Sequence, residues 1–171
     1  VNGRNAENME MALLAEWACM DWLGLPHHDL LPPSCAAAAG NDHHDGGVDI
    51  DCGPGYRIDV KAARPRYPEL MLPVKHEAKY RKTTCPVDIF VKATVERQHV
   101  TMTCWQWRAE FLRSCHRDDG ERYPYPTLWQ APDEAHPIGA SFDVDPFTAA
   151  RIQHYVRYEM PDTPWEAWLT L

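Results

Sequence analysis

The segment DIDCGPGYRIDVK, residues 49–61, gathers carboxylates and a lysine around a glycine-proline turn. In an extended strand side chains alternate between faces, so Asp59 and Lys61 share one face while Ile58, Val60 and Ala62 share the other. The turn CGPGY folds the chain back and lets Asp49 approach Asp59 across a hairpin. Carboxylates brought this close raise one another's pKa unless a cation lies among them, and hard oxygen donors suit Mg²⁺ or Mn²⁺. A lysine beside them can orient or help activate a water, or stabilise charge developing on a phosphate under attack. An edge hairpin with a solvated polar face would show the same alternation, so the surrounding elements must decide.

A further acid could come from residues 6–23, AENMEMALLAEWACMDWL, which predict an amphipathic helix ended by Gly24, Leu25 and Pro26. Its apolar stripe runs through Leu13, Leu14, Trp17 and Ala18. At 100° per residue Glu10 and Asp21 point into that stripe, Glu7 lies near its edge and Glu16 points away. A glutamate at a helix start is also stabilised by the helix dipole. Residues 27–47, rich in Pro, Gly, Asp and His, predict an irregular connection with one helical turn in SCAAAA. The cluster His43, His44, Asp45 reads as a surface loop, because adjacent histidines point apart and are rarely paired ligands.

GVDI and YRIDVKAA predict the two hairpin strands, PVDIFVKATVE a third strand and HVTMTCWQW a fourth. The intervening RPRYPELMLPVKHEAKYRK reads as a loop, and RAEFLRSC as a short helix. Trp105 and Trp107 share a face, which reads as core packing of a terminal strand in preference to base stacking. From HRDDGERYPYP onward, recurrent prolines and aromatics predict long loops packed by Trp129, Phe142 and Phe147. DPFTAARIQHYVRYEM predicts a late helix with Asp145 as its cap and Pro146 in the first turn.

With 171 residues, 44% of them hydrophobic and 25% charged, the chain is most simply one globular domain spanning 1–171. No apolar run approaches the roughly 20 residues a membrane span needs, and VNGRNAENME is not a secretory signal. Six cysteines without a CxxC pair argue for free thiols in a reducing compartment such as the cytoplasm, and against a cysteine-rich zinc site. The net charge of −8 opposes general binding of a polyanion. Between Arg57 and Lys82, however, eight basic residues face three acidic ones, so a phosphate-rich ligand could be met locally.

Taken in order, Glu7 in GRNAE on an opening helix, Asp49 in GGVDI, Asp59-Val60-Lys61 in RIDVKAA, and PVDIFV before an apolar strand with Trp resemble the PD-(D/E)XK nuclease superfamily. That superfamily includes restriction endonucleases, Holliday junction resolvases and many phage and mobile-element nucleases. The resemblance covers roughly residues 4–113. It implies an α+β fold of the restriction endonuclease type, a central mixed four-stranded sheet flanked by helices, with residues from about 114 to 171 as a loop-rich C-terminal extension. It also implies Mg²⁺- or Mn²⁺-dependent hydrolysis of a DNA phosphodiester.

Carried over by position, the resemblance makes Asp49 the bridge between metals and gives one metal to Asp59 and the Val60 carbonyl. It sets Lys61 near the water and lets a helix glutamate reach a metal directly or through water. The GRNAE match selects Glu7 for that last role, whereas the core-facing angle favours Glu10. Asp51, on the same strand face but nearer the turn, competes with Asp49, which is preferred. The second acid is Asp where Glu is commoner. Asp88 is structural or substrate-adjacent on this reading, and Lys75, Lys79, Arg81 and Lys82 line the DNA approach with sequence-independent phosphate contacts. Cutting both strands with one site per chain would require two visits or two chains, as in a homodimer or a larger complex. A nuclease-like fold that binds DNA or assembles in a phage particle without cutting is the alternative. A metal-binding α+β domain built on the His-rich loop is the third.

Overall fold

The computed structural model describes residues 3–25 and 48–159. The expectations for His43, His44 and Asp45, and for a helical turn in SCAAAA, lie outside the described residues. In chain order the elements are α1 (Gly3–Trp22), β1 (Ile50–Asp51), β2 (Arg57–Ala63), β3 (Leu70–Pro73), α2 (Glu77–Arg81), β4 (Ile89–Glu96), β5 (His99–Trp107), α3 (Arg108–Ser114), β6 (His116–Asp118), β7 (Thr127–Gln130), β8 (His136–Asp143) and α4 (Pro146–His154). A 3-10 turn (Val74–His76) precedes α2 and a π-turn (Tyr155–Glu159) follows α4. Among the described residues no helix is long and apolar enough to cross a membrane, and the cysteines are unpaired.

The fold is mixed α+β around a five-stranded sheet of order β1-β2-β4-β5-β8. Only β2 and β4 run parallel; every other pair in the sheet is antiparallel. The expected four strands are all present, and β8 adds a fifth by pairing with β5. The loop-rich extension is therefore corrected, since His136–Asp143 completes the main sheet. Pro137 and Gly139 disguise this strand. Gly139 takes φ 72° where the register against β5 shifts, a bulge at which glycine removes the steric penalty of a left-handed residue.

A second sheet of order β3-β7-β6 covers the other side of the core, from residues also expected to be loops. Leu70, Leu72 and Leu128 are buried there, so packing between short strands overrides their proline-rich setting. Of the aromatics expected to pack the C-terminal loops, Phe142 lies against the core and Trp129 touches His116 and Tyr123, but Phe147 is exposed.

Two apolar clusters sandwich the main sheet. Leu13, Leu14 and Ala18 of α1 and Ile152 of α4 cover Ile58, Val60, Val91 and Val95 on one face. On the other, Phe90 packs edge-on against Tyr80 at 5.2 Å and Phe111 at 5.5 Å. Residues 90–95 of β4 are buried without a break, as befits a strand covered on both faces. As expected, Asp145 caps α4: its Oδ1 accepts from the Thr148 backbone N–H at 2.9 Å, with Pro146 next in line.

Candidate active site

The turn between β1 and β2 is built by Gly53 and Gly55, both at positive φ (102° and 85°), which closes a hairpin of register Ile50↔Ile58 and Asp51↔Arg57. One step further along that register, Asp49 faces Asp59. There Asp49 leaves the strand and turns its carboxylate onto β2, where the Val60 N–H donates to its Oδ2 at 2.7 Å. Asp51 has another task. It is exposed, accepts from the Gly53 N–H at 2.8 Å and lies 3.6 Å from the Arg57 guanidinium, so it holds the turn. Asp88 accepts from the Arg57 N–H at 3.0 Å and ties β2 to the entry of β4, a structural role.

Asp59 is 4% exposed and makes a closed network on the far side of β2. Tyr80 donates to Asp59 Oδ2 at 2.5 Å, Lys61 Nζ lies 2.7 Å from the same oxygen, and Lys61 donates to the Tyr80 hydroxyl at 2.9 Å. Burial works to lower the Lys61 pKa, but the Asp59 charge and the Tyr80 contacts outweigh it and hold the ammonium above its ordinary value. Burial and the same Asp59 carboxylate push the Tyr80 hydroxyl up. Arg108 fixes the tyrosine from behind, its guanidinium donating to the carbonyls of Tyr80 and Val87.

The helix acid beside these residues is Glu16. It is 5% exposed, and its charge acts on Asp49. Burial first, then Glu16, then Asp59 push the Asp49 carboxyl well above its ordinary range; the Val60 N–H and Lys61 oppose them less strongly. The two glutamates weighed from the sequence lie elsewhere on α1. Glu7 is exposed, 3.8 Å from Arg64, and with half-buried Glu10 it lines a separate cleft. The expectation that Glu16 points away took the buried stripe as too narrow. Ala15, Cys19 and Met20 are buried too, and Cys19 and Met20 stand three and four residues after Glu16, on its own side of the helix. Asp21, expected to face the stripe, is exposed.

Tyr80 had no local signal in the sequence. It stands in the basic run KYRK and reaches the site only through the crossover from β2 to β4. The same crossover places cations there. His76 is pushed down to about 4, chiefly by burial and further by Lys61, Lys75 and Lys79, which stand close enough to act on it, while Asp59 opposes them. Lys82 caps α2 and is exposed. Arg81 is committed elsewhere: it donates to Glu77 at 2.8 Å and to the Leu112 carbonyl at 3.1 Å, joining α2 to α3.

Among the described residues no three His, Cys, Asp or Glu side chains already stand together as a metal cluster. The donor chemistry nonetheless fits a hard divalent cation. Asp49 stands within the electrostatic reach of both Glu16 and Asp59, its Oδ2 held by the Val60 N–H, so its carboxylate is the oxygen donor such an ion would meet first. Val60 contributes its N–H to Asp49 and its side chain to the core. Comparison with family models, with curated proteins and with solved structures found no match to this chain.

Proposed function

We propose that this chain is a divalent-metal-dependent nuclease that hydrolyses DNA phosphodiester bonds, a reading in keeping with its resemblance to the PD-(D/E)XK superfamily. The observation that carries it is the placement of Asp49, held by the Val60 N–H at 2.7 Å, next to Asp59 and Lys61, whose carboxylate and ammonium lie 2.7 Å apart under the Tyr80 hydroxyl. A buried acid beside other acids calls for a proton or a cation, and the lysines gathered near His76 suit a phosphate.

Glu16, Asp49 and Asp59 are the residues that would hold the metal, with Mg²⁺ or Mn²⁺ the match for all-oxygen donors. Such an ion, when bound, polarises a phosphoryl oxygen and makes a coordinated water more acidic. The chain's own part is positioning and charge. Lys61, fixed by Asp59 and Tyr80, keeps its proton; it therefore stabilises the negative charge developing on the phosphate and does not act as a general base. Lys75 and Lys79 attract the backbone from the same side.

Supercoiled plasmid incubated with Mg²⁺ should be nicked or linearised by the wild type. Asp59→Asn and Lys61→Met should each slow this by about a hundred-fold or more. Intact plasmid with correctly folded wild type, or variants that cut as fast as wild type, would sink the proposal. One observation favours a second reading, a DNA-binding module without catalysis: Asp59 Oδ2 is already taken by Lys61 and Tyr80. Binding to DNA in Ca²⁺ with no cleavage by any form in Mg²⁺ would select it.

A further inference from the structure

Far from Asp49, a second charged site occupies the opposite end of the sheet. A cleft of about 250 Å³ opens between the first half of α1 and the residues that follow β2 and β4. Arg64, Arg97 and Arg157 line it, with Glu7 and Glu10 across from them and Leu14 at its floor. Glu7 lies 3.8 Å from Arg64, a loose pair. The guanidiniums of Arg97 and Arg157 make no ion pair or hydrogen bond among the described residues.

Arg97 is also the one non-glycine residue with positive φ among the described residues, at 56°. It opens the two-residue turn between β4 and β5, where the primed hairpin turns favour glycine or asparagine. The turn itself imposes the positive φ; what departs from the usual is an arginine where glycine or asparagine would sit with less strain, and that arginine lines the cleft. A strained residue lining a charged cavity is the kind of departure that marks a site.

We propose that this cleft binds a phosphate oxyanion. Arg97 and Arg157 offer planar forks that match phosphate oxygens two at a time, and three arginines against two glutamates leave the site positive. Glu7 steadies Arg64, Glu10 accepts from a hydroxyl or amino group beside the phosphate, and Leu14 meets its carbon portion. A free phosphate ester and a nucleic-acid backbone share this chemistry. The inference stands on residues separate from the proposed catalytic acids, so it survives whether or not the chain cuts DNA.

Isothermal titration in EDTA at low salt tests it, with inorganic phosphate, thymidine 5′-monophosphate and a DNA oligonucleotide as probes. A background of Lys61→Met, Lys75→Ala and Lys79→Ala weakens the other phosphate-attracting site. Arg97→Gly and Arg157→Ala should each weaken binding about ten-fold, while Glu10→Gln, which removes a repelling charge, should tighten binding of inorganic phosphate several-fold. Arg97→Gly should also raise the melting temperature, because glycine relieves the turn, so its weaker binding cannot be ascribed to unfolding. Monophosphate binding at least as tight as that of the oligonucleotide assigns the cleft to free esters. Tighter oligonucleotide binding, lost in the same variants, assigns it to the backbone. No binding of any probe, or equal binding by wild type, Arg97→Gly and Arg157→Ala, overturns the proposal.

Discussion

Two glutamates of one helix have opposite surroundings, and that contrast is testable. Glu16 is buried and acts on Asp49, whereas Glu7 is exposed and faces Arg64. On the proposed reading Glu16→Gln removes a carboxylate from the metal-holding group and should lower plasmid nicking by on the order of a hundred-fold. Glu7→Gln should leave the rate within about two-fold, as surface substitutions usually do. The reverse pattern would return the role to the GRNAE segment. Asp49, Asp59 and Lys61 were legible because two short-range rules fix them, the period of two in a strand and the turn chemistry of CGPGY. The Glu16 assignment failed because burial around α1 is nearly complete over residues 13–20, and a single stripe does not describe it. Tyr80 was illegible because a tertiary crossover, not spacing, delivers it.

At the level of elements, α1, β2, β4, β5 and α4 were legible as periodic segments with recognisable ends, and β3, β6, β7 and β8 were not. The latter are short or interrupted by Pro and Gly, and pairing partners distant in sequence make them strands. β4 is the most demanding element, since both its faces are covered and Lys92 is 1% exposed within it. Burial pushes the Lys92 ammonium down to about 8, Cys104 and Glu69 opposing and Lys61 adding to the effect. Below about pH 8 both folded and unfolded chains hold that proton, and the full cost of burying it applies. Between about 8 and 10.5 the unfolded chain keeps the proton and the folded chain sheds it, so this group's contribution to stability rises with pH. Lys92→Met should therefore stabilise the protein near neutral pH by on the order of 3 kcal/mol, an advantage that fades as pH approaches 10.5. Urea unfolding of both forms across that range is the measurement. An unchanged advantage at high pH, or none at neutral pH, would show that burial of the charge is not what the strand bears.

The whole molecule is acidic, at −8, yet proposed to bind a polyanion, and the partition of its charge limits how it could do so. Around the candidate active site the cations available to phosphates are Lys75, Lys79 and Lys82, because Lys61 is paired with Asp59 and Arg81 and Arg108 are held by Glu77 and by backbone carbonyls. Three contacts set the salt dependence. For a duplex too short to reach the far end of the sheet, the logarithm of affinity should fall with that of salt concentration at a slope of about −3. Losing Lys75 and Lys79 together should flatten the slope by about 2. The acids exert the opposite influence: Glu16, Asp49 and Asp59 repel the backbone, so Ca²⁺ at their carboxylates should raise affinity at constant ionic strength. Anisotropy titrations in a KCl series, with and without Ca²⁺, read both effects on uncut DNA. A slope unmoved by the double variant would take the crossover lysines out of the interface. Affinity indifferent to Ca²⁺ in the wild type, but present, would mean that DNA passes the basic face without approaching the acids, and catalysis at Asp49 would then lose its substrate.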